Sequence, residues 1–188
     1  MLEPEAGPRH PRGVRALTPA DAAAFARFVT AVPEGERRFL KEALDASDTG
    51  WVTMLAEPAS RRLVAVGPTG EIVGLAGVFR GRGWSSHVAE LRVLVASGQR
   101  RRGVGRALAR AALITALQWG CSHAYIEVVA EQEGLVAMFQ DLGFEPEALL
   151  PDFVRDGEGR FHDLLLLTHR VDDQQGRFAV LGLQEVSA

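Results

Sequence analysis

Between residues 88 and 120 an alternating apolar run, an arginine- and glycine-rich turn and a long apolar run follow one another without a break. In the first piece, VAELRVLV, Ala89, Leu91, Val93 and Val95 fall on one face, and Val88, Glu90, Arg92 and Leu94 on the other. That period of two is a strand with different surroundings on its two sides. The last piece, GVGRALARAALITALQWG, has helical spacing and is apolar nearly all round except at Arg106 and Arg110. Such a helix has to pack on more than one side, and Gly120 closes it. A strand leading straight into a helix of this kind belongs in a layered α/β fold. The join, GQRRRGVGRAL (98–108), sets three arginines against two glycines, a surplus of charge and backbone freedom for a surface turn.

The flanks agree with a mixed α/β class and a partly antiparallel sheet. VRAL (14–17) reads as a short strand. TPADAAAFARFVTAV then starts a helix with Thr18 as N-cap, Pro19 at the first position and Asp21 three residues after the cap. Phe25, Phe28 and Val29 line one face of it. Further helical segments are expected at 34–45 and 48–58. Two β-rich runs flank Gly67-Pro68-Thr69-Gly70, a hairpin signal. HAYIEVVA (123–130) is the next strand, EQEGLVAMFQDLG a short helix ending at Gly143, and 144–170 two strands around DGEG (156–159). Pro, Gly and charge in residues 1–12 suggest a disordered lead-in. Residues 171–188 form an extension without a clear pattern, which leaves 13–170 as a single domain.

The net charge of −3 over 188 residues argues against a general nucleic-acid or membrane-surface binder and makes the local basic cluster more telling. That cluster is also short and lacks interleaved aromatics, unlike a nucleic-acid site. Cys121 is the single cysteine, so an intrachain disulfide and a cysteine-based zinc site are excluded; it is expected to be a small buried hydrophobe. No apolar run approaches the ~18 residues of a membrane span. A cytoplasmic protein, without metal, is the default expectation.

A strand that turns through glycines into a helix presents unpaired backbone N–H groups and the positive end of the helix dipole, an arrangement suited to phosphate. The turn is not a Walker loop, because no GK[ST] follows the glycines. Nor is it a dinucleotide fingerprint, since Gly103-Val104-Gly105-Arg106-Ala107-Leu108 fails at Leu108.

Arg100-Arg101-Arg102-Gly103-Val104-Gly105 matches the (Q/R)xxGx(G/A) pattern of the GNAT superfamily of N-acetyltransferases. The strand AELRVLV before it, the helix after it and the MFQDLGF block ending at Phe144 follow in the same order and spacing. The chain therefore resembles that superfamily over about residues 60–170, and more loosely over 14–60. The resemblance implies a mixed, largely antiparallel sheet of six to seven strands flanked by helices, with the strands 86–96 and 123–130 splayed apart. It implies acetyl-CoA as co-substrate, with the pyrophosphate cradled by Arg100, Arg101, Arg102, Gly103, Val104, Gly105 and Arg106. Backbone groups of Val93, Leu94 and Val95 would meet the pantetheine arm, one of them polarising the thioester carbonyl.

For chemistry, acetyl transfer to an amine needs a group that removes the amine proton. Several family members use a glutamate near the position of Glu90, which is the first candidate; its plain alternative is an ion pair with Arg92. Glu127, mid-strand on the other arm of the cleft, is a second candidate and His87 a third. Many members carry an Asn seven residues before a Tyr that protonates the coenzyme thiolate. Gln132 and Phe139 stand there in this chain, near the coenzyme, and Phe139 cannot act as an acid. The lone Tyr125 lies on a strand and does not align with that position. Trp51 and Trp84 could line an acceptor site, and Asp152, Asp156 and Glu158 could attract a cationic amine, although DGEG reads first as a hairpin turn. The expected activity is N-acetyl transfer from acetyl-CoA to a primary amine of a small molecule or protein by direct attack in a ternary complex. The alternative is an acyl-CoA-binding module of the same fold without turnover. The resemblance also allows a homodimer.

Overall fold

The alternating run is β4, Val88–Val95, and the computed structural model sets it at the centre of a seven-stranded sheet. The structure describes residues 13–33, 55 and 57–170. Around β4 stand β1 (Val14–Ala16), β2 (Ser60–Val66), β3 (Ile72–Arg80), β5 (His123–Val129), β6 (Glu145–Arg155) and β7 (Phe161–Arg170). Their spatial order is β1-β2-β3-β4-β5-β7-β6. Neighbours run antiparallel except β4 and β5, which are parallel. The expected sheet is thus observed, with seven strands. Among the described residues the helices with given bounds are α1 (Ala22–Ala31), α2 (Val104–Gln118), which carries the chain from β4 to β5, and α3 (Glu133–Gln140). Residues 1–12, Trp51, the extension 171–188 and most of the two helical segments expected before residue 58 lie outside the described residues.

Each face of β4 meets a different helix, as its alternation requires. Ala89 and Leu91 are fully buried in the cluster that α2 forms with β2, β3, β5 and β7 through Leu108, Ala112, Leu113, Leu63, Val78, Ile126 and Leu167. Burying each leucine of that kind is worth about 1.5–3 kcal/mol. Leu94 faces the other way, against Phe25, Phe28 and Val29 of α1 with Val64, Ile72 and Leu75. The helix α1 is entered through one 3-10 turn, Pro19–Asp21. There Asp21 accepts hydrogen bonds from the Thr18 amide and hydroxyl, both 2.9 Å, and from the two terminal guanidinium nitrogens of Arg15. Those bonds, the Arg15 pair foremost, hold the Asp21 carboxyl well below the usual carboxylate range.

Two glycine-terminated helix ends fix where the following strands begin. Gly120 has φ +73, and Gly120 and Cys121 donate to the carbonyls of Leu117 and Ala116. Gly143 has φ +84, with Gly143 and Phe144 donating to Gln140 and Phe139. Both are paired 5→2 and 6→1 closures that need a left-handed residue.

The sheet opens at its centre. The parallel ladder comprises Val88–His123, Ala89–Ala124 and Glu90–Tyr125. From there β4 continues along β3 to Val95, while β5 follows β7 to Val129. The splay expected between strands 86–96 and 123–130 is therefore present.

Candidate active site

Between the diverging ends of β4 and β5 lies a cleft of about 1060 Å³. Val93, Leu94 and Val95 form one wall, and Ile126, Glu127 and Val129 the other. Arg100, Arg101, Gly103, Gly105 and Arg106 close one end, and Gln132 to Leu135 at the start of α3 border it too. Beyond Glu90, alternate β4 backbone groups point toward β5, and no strand among the described residues pairs with them on that side.

The cradle is built by backbone conformation. Gly103 is the N-cap of α2 and is left-handed at φ +80. Arg101 is also left-handed at φ 58, a conformation that a side chain with a β-carbon tolerates only where its surroundings impose it. Together they turn the chain so that the first-turn amides of α2, which have no partner within the helix, head the cleft. A β-carbon on Gly105 would meet Met138 Sδ at 3.3 Å and Val95 Cγ2 at 3.5 Å, both of them cleft residues. Glycine there keeps the wall back. Arg100 Nε donates to the Val95 carbonyl at 3.4 Å, and Arg106 reaches Asp141 Oδ2 at 3.0 Å, tying the start of α2 to the end of α3.

Not every residue expected at the coenzyme lines the cleft. Arg102 points to solvent, and Val104 packs inward, where its Cγ1 would stand 3.2 Å from a β-carbon on Gly74. Phe139 is fully buried beneath α3 and does not reach the cleft. Gln132 is the N-cap of α3 and lies outside the helical backbone, with φ −80 and ψ 54, so its side chain stays at the rim and does not follow the face on which Phe139 is buried.

Glu90 and Glu127 both border the cleft, on opposite arms. Glu90 is held from two sides: Arg92 donates from Nε at 2.8 Å and Nη2 at 3.2 Å, and the Tyr125 hydroxyl donates to Oε2 at 3.2 Å. The ion pair named as the plain alternative for Glu90 is therefore formed, yet the carboxylate still borders the cavity. Arg92 is itself steadied by Phe79, whose ring centre lies 4.0 Å from the Arg92 guanidinium and 4.2 Å from that of Arg62. Phe79 can fold over because Gly77 beside it has no β-carbon; one would stand 2.7 Å from Phe79 Cε2. Sequence reasoning passed over Arg62, Phe79 and Arg92 as site residues. Their shared parity on adjacent strands is the signal that pairing alone makes visible.

Other candidates lie elsewhere. His87 is exposed at the start of β4, edge-on to His123, and Trp84 is 96% exposed; neither borders the cleft. Asp156 anchors the β6–β7 turn, accepting from the backbone of Glu158 and Arg160 at 2.9 Å each. Glu158 pairs with Arg160, and Asp152 sits in a β6 irregularity with φ 52. Phe153, next to it, does border the cleft and was not anticipated. Cys121 is buried, and burial pushes its thiol pKa up.

With this geometry in place, comparison with known proteins is direct. A family model described as the acetyltransferase (GNAT) family matches residues 27–144. The chain belongs to the acetyltransferase (GNAT) family. Streptothricin acetyltransferase of Streptomyces lavendulae is 33% identical over 85 residues, 45% of this chain and 44% of that protein. This GNAT chain thus matches less than half the length of that curated relative. A solved GCN5-related N-acetyltransferase of Kribbella flavida gives a TM-score of 0.65 at 28% identity, covering 84% of this chain and 96% of that one. A Salmonella typhimurium acetyltransferase solved with its cofactor acetyl-CoA gives 0.69 at 20% identity, covering 86% and 94%; at that identity the likeness is one of fold. The names of these relatives, like the family's description, are those of acetyltransferases. They favour acetyl transfer over a binding module without turnover.

Proposed function

We propose that the cleft takes acetyl-CoA and that the protein moves its acetyl group to a primary amine, of a small molecule or a protein, by direct attack. The observation that carries this is the parting of β4 and β5 directly in front of a left-handed arginine-glycine turn. A thioester arm needs a slot in the sheet, and its pyrophosphate needs amide donors and cations at the end of that slot. Gly103, Gly105 and the first turn of α2 supply the amides, while Arg100, Arg101 and Arg106 supply charge and bidentate geometry. In this reading Val93, Leu94 and Val95 hold the arm through backbone groups, and Gln132 borders it from α3.

The chemistry supplied by the coenzyme is an activated acetyl group. The chain's part is to orient that carbonyl against a β4 amide, exclude water, and receive the amine proton. The amide stabilises negative charge as it develops on the carbonyl oxygen. Glu90 is the base in this reading: its carboxylate borders the cleft at the apex of the splay, and Arg92 and Tyr125 fix its position. The attacking nitrogen loses basicity as its bond to carbon forms, so a carboxylate can accept the proton at that stage. Glu127, across the cleft, is the second candidate. With Phe139 buried, the departing thiolate takes its proton from solvent.

Calorimetric titration with acetyl-CoA, beside the Gly105→Trp variant, tests the reading. Micromolar binding that the variant loses, with amine-dependent release of free CoA thiol by the wild type, supports it. Absence of acetyl-CoA binding overturns it.

A further inference from the structure

The last rung of the parallel ladder pairs Glu90 with Tyr125, and the strands part immediately beyond it. Tyr125 does not border the cleft, whereas Glu90 does. The tyrosine therefore stands behind the carboxylate and reaches it through its hydroxyl, 3.2 Å from Oε2. Among the described residues, the charged and titratable groups around this point are Arg92 on the same strand, Tyr125 and Glu127 on β5, and Arg62 on β2 beyond the Phe79 ring.

We infer that Tyr125 is a positioning residue, which by donating its hydroxyl proton to Glu90 fixes the orientation of that carboxylate and keeps it ionised at the apex of the cleft. This rests on the reading of Glu90 as the base. Two features of the molecule support it. First, the pairing of the two strands sets the tyrosine opposite Glu90, so the contact is made at the last rung of the ladder before the arms of the cleft part. Arg92 holds the carboxylate from its own strand, and the tyrosine adds a donor from the opposite strand, which ties its orientation to the pairing of the two arms. Second, burial, together with the neighbouring Glu90 and Glu127 charges, pushes the Tyr125 pKa up to about 12, so its hydroxyl keeps its proton and remains a donor across the working pH range. A hydrogen bond given to a carboxylate favours the ionised form.

The test is Tyr125→Phe, which keeps the ring and its packing and removes the hydroxyl alone. Protein labelled with ¹³C at the glutamate carboxyl carbons is titrated by NMR without coenzyme or acceptor, and the resonance missing in Glu90→Gln is that of Glu90. The expected result is a Glu90 midpoint about one pH unit higher in Tyr125→Phe, the size of one hydrogen bond to a charged group. The acid limb of kcat/KM should move up with it, while acetyl-CoA affinity stays within about twofold. An unchanged midpoint, as expected if the ring merely fills space, overturns the inference. An acid limb that survives in Glu90→Gln overturns the base reading instead, and with it the catalytic meaning of the contact, whatever the midpoint does.

Discussion

The rings of Phe139 and Phe144 meet edge to face, with centroids 5.1 Å apart and planes at 80°. Phe144 in turn lies against the His169 ring, and His169 Nδ1 stands 2.8 Å from the Gly143 carbonyl. The residue at the position of the family's usual acid is thus part of the packing that seats the end of α3. Phe139→Tyr should not restore an acid. The hydroxyl would enter a fully buried site, at a cost of about 1–3 kcal/mol if it finds no partner. The expected outcome is a lower Tm with no rise in kcat.

Gly105 separates a tolerated change from a destructive one. A β-carbon there meets Met138 Sδ at 3.3 Å, and a methionine end can yield a few tenths of an ångström. Gly105→Ala should therefore change acetyl-CoA affinity by less than about tenfold, within about 1.4 kcal/mol. An indole cannot be accommodated. Gly105→Trp should abolish measurable binding in calorimetry while the far-UV circular dichroism spectrum keeps its shape.

Loss of the proposed base has a recognisable kinetic form. Glu90→Gln should lower kcat by about 10²–10⁴-fold, the usual worth of general base catalysis, with little change in acetyl-CoA affinity. Glu127→Gln should cost much less. Steady-state kinetics with a panel of primary amines checks both, and the reverse order of effects would transfer the role to Glu127.

His162 gives a pH dependence to stability. Its Nε2 lies 3.0 Å from Asp156 Oδ2 and its Nδ1 3.2 Å from Glu131 Oε1. These contacts, that with Asp156 the larger, raise the imidazole pKa above its ordinary value. A group whose folded-state pKa is raised stabilises fully below its unfolded value, near 6.5, and loses that contribution as pH rises through the folded value. The Tm difference between wild type and His162→Gln should then be largest near about pH 5.5 and shrink toward about pH 9. Thermal melts across that range measure it.

Close packing of α2 on the sheet rests on Gly74, where a β-carbon would meet Leu108 Cδ1 at 2.7 Å and the Leu94 carbonyl at 3.1 Å. Leu108 can shift, but the carbonyl belongs to β4 and cannot move without disturbing the cleft wall. Gly74→Ala should destabilise by about 1–3 kcal/mol, and acetyl-CoA binding should weaken with it, as denaturant melts and calorimetry would show.

Among the described residues, the sequence by itself determined the strands and helices and their order. The period of two in β4, the apolar girth of α2 and the glycines at 103, 120 and 143 are local rules, set by sterics and by the alternation of side chains along the chain. They sufficed for the class of fold, for the arginine-glycine turn and for its neighbours on β4. What tertiary structure decided is which side chains meet across strands and which are turned away. Glu90, Arg92, Phe79, Arg62 and Tyr125 come from four strands, and their meeting depends on register between segments up to 35 residues apart. Phe139 and Gln132 have equal standing in the sequence pattern, but Phe139 is packed into the core while Gln132, at the N-cap ahead of the helix, is left at the rim. Local propensity fixes a residue's backbone state, whereas its exposure and its partners are properties of the packed whole.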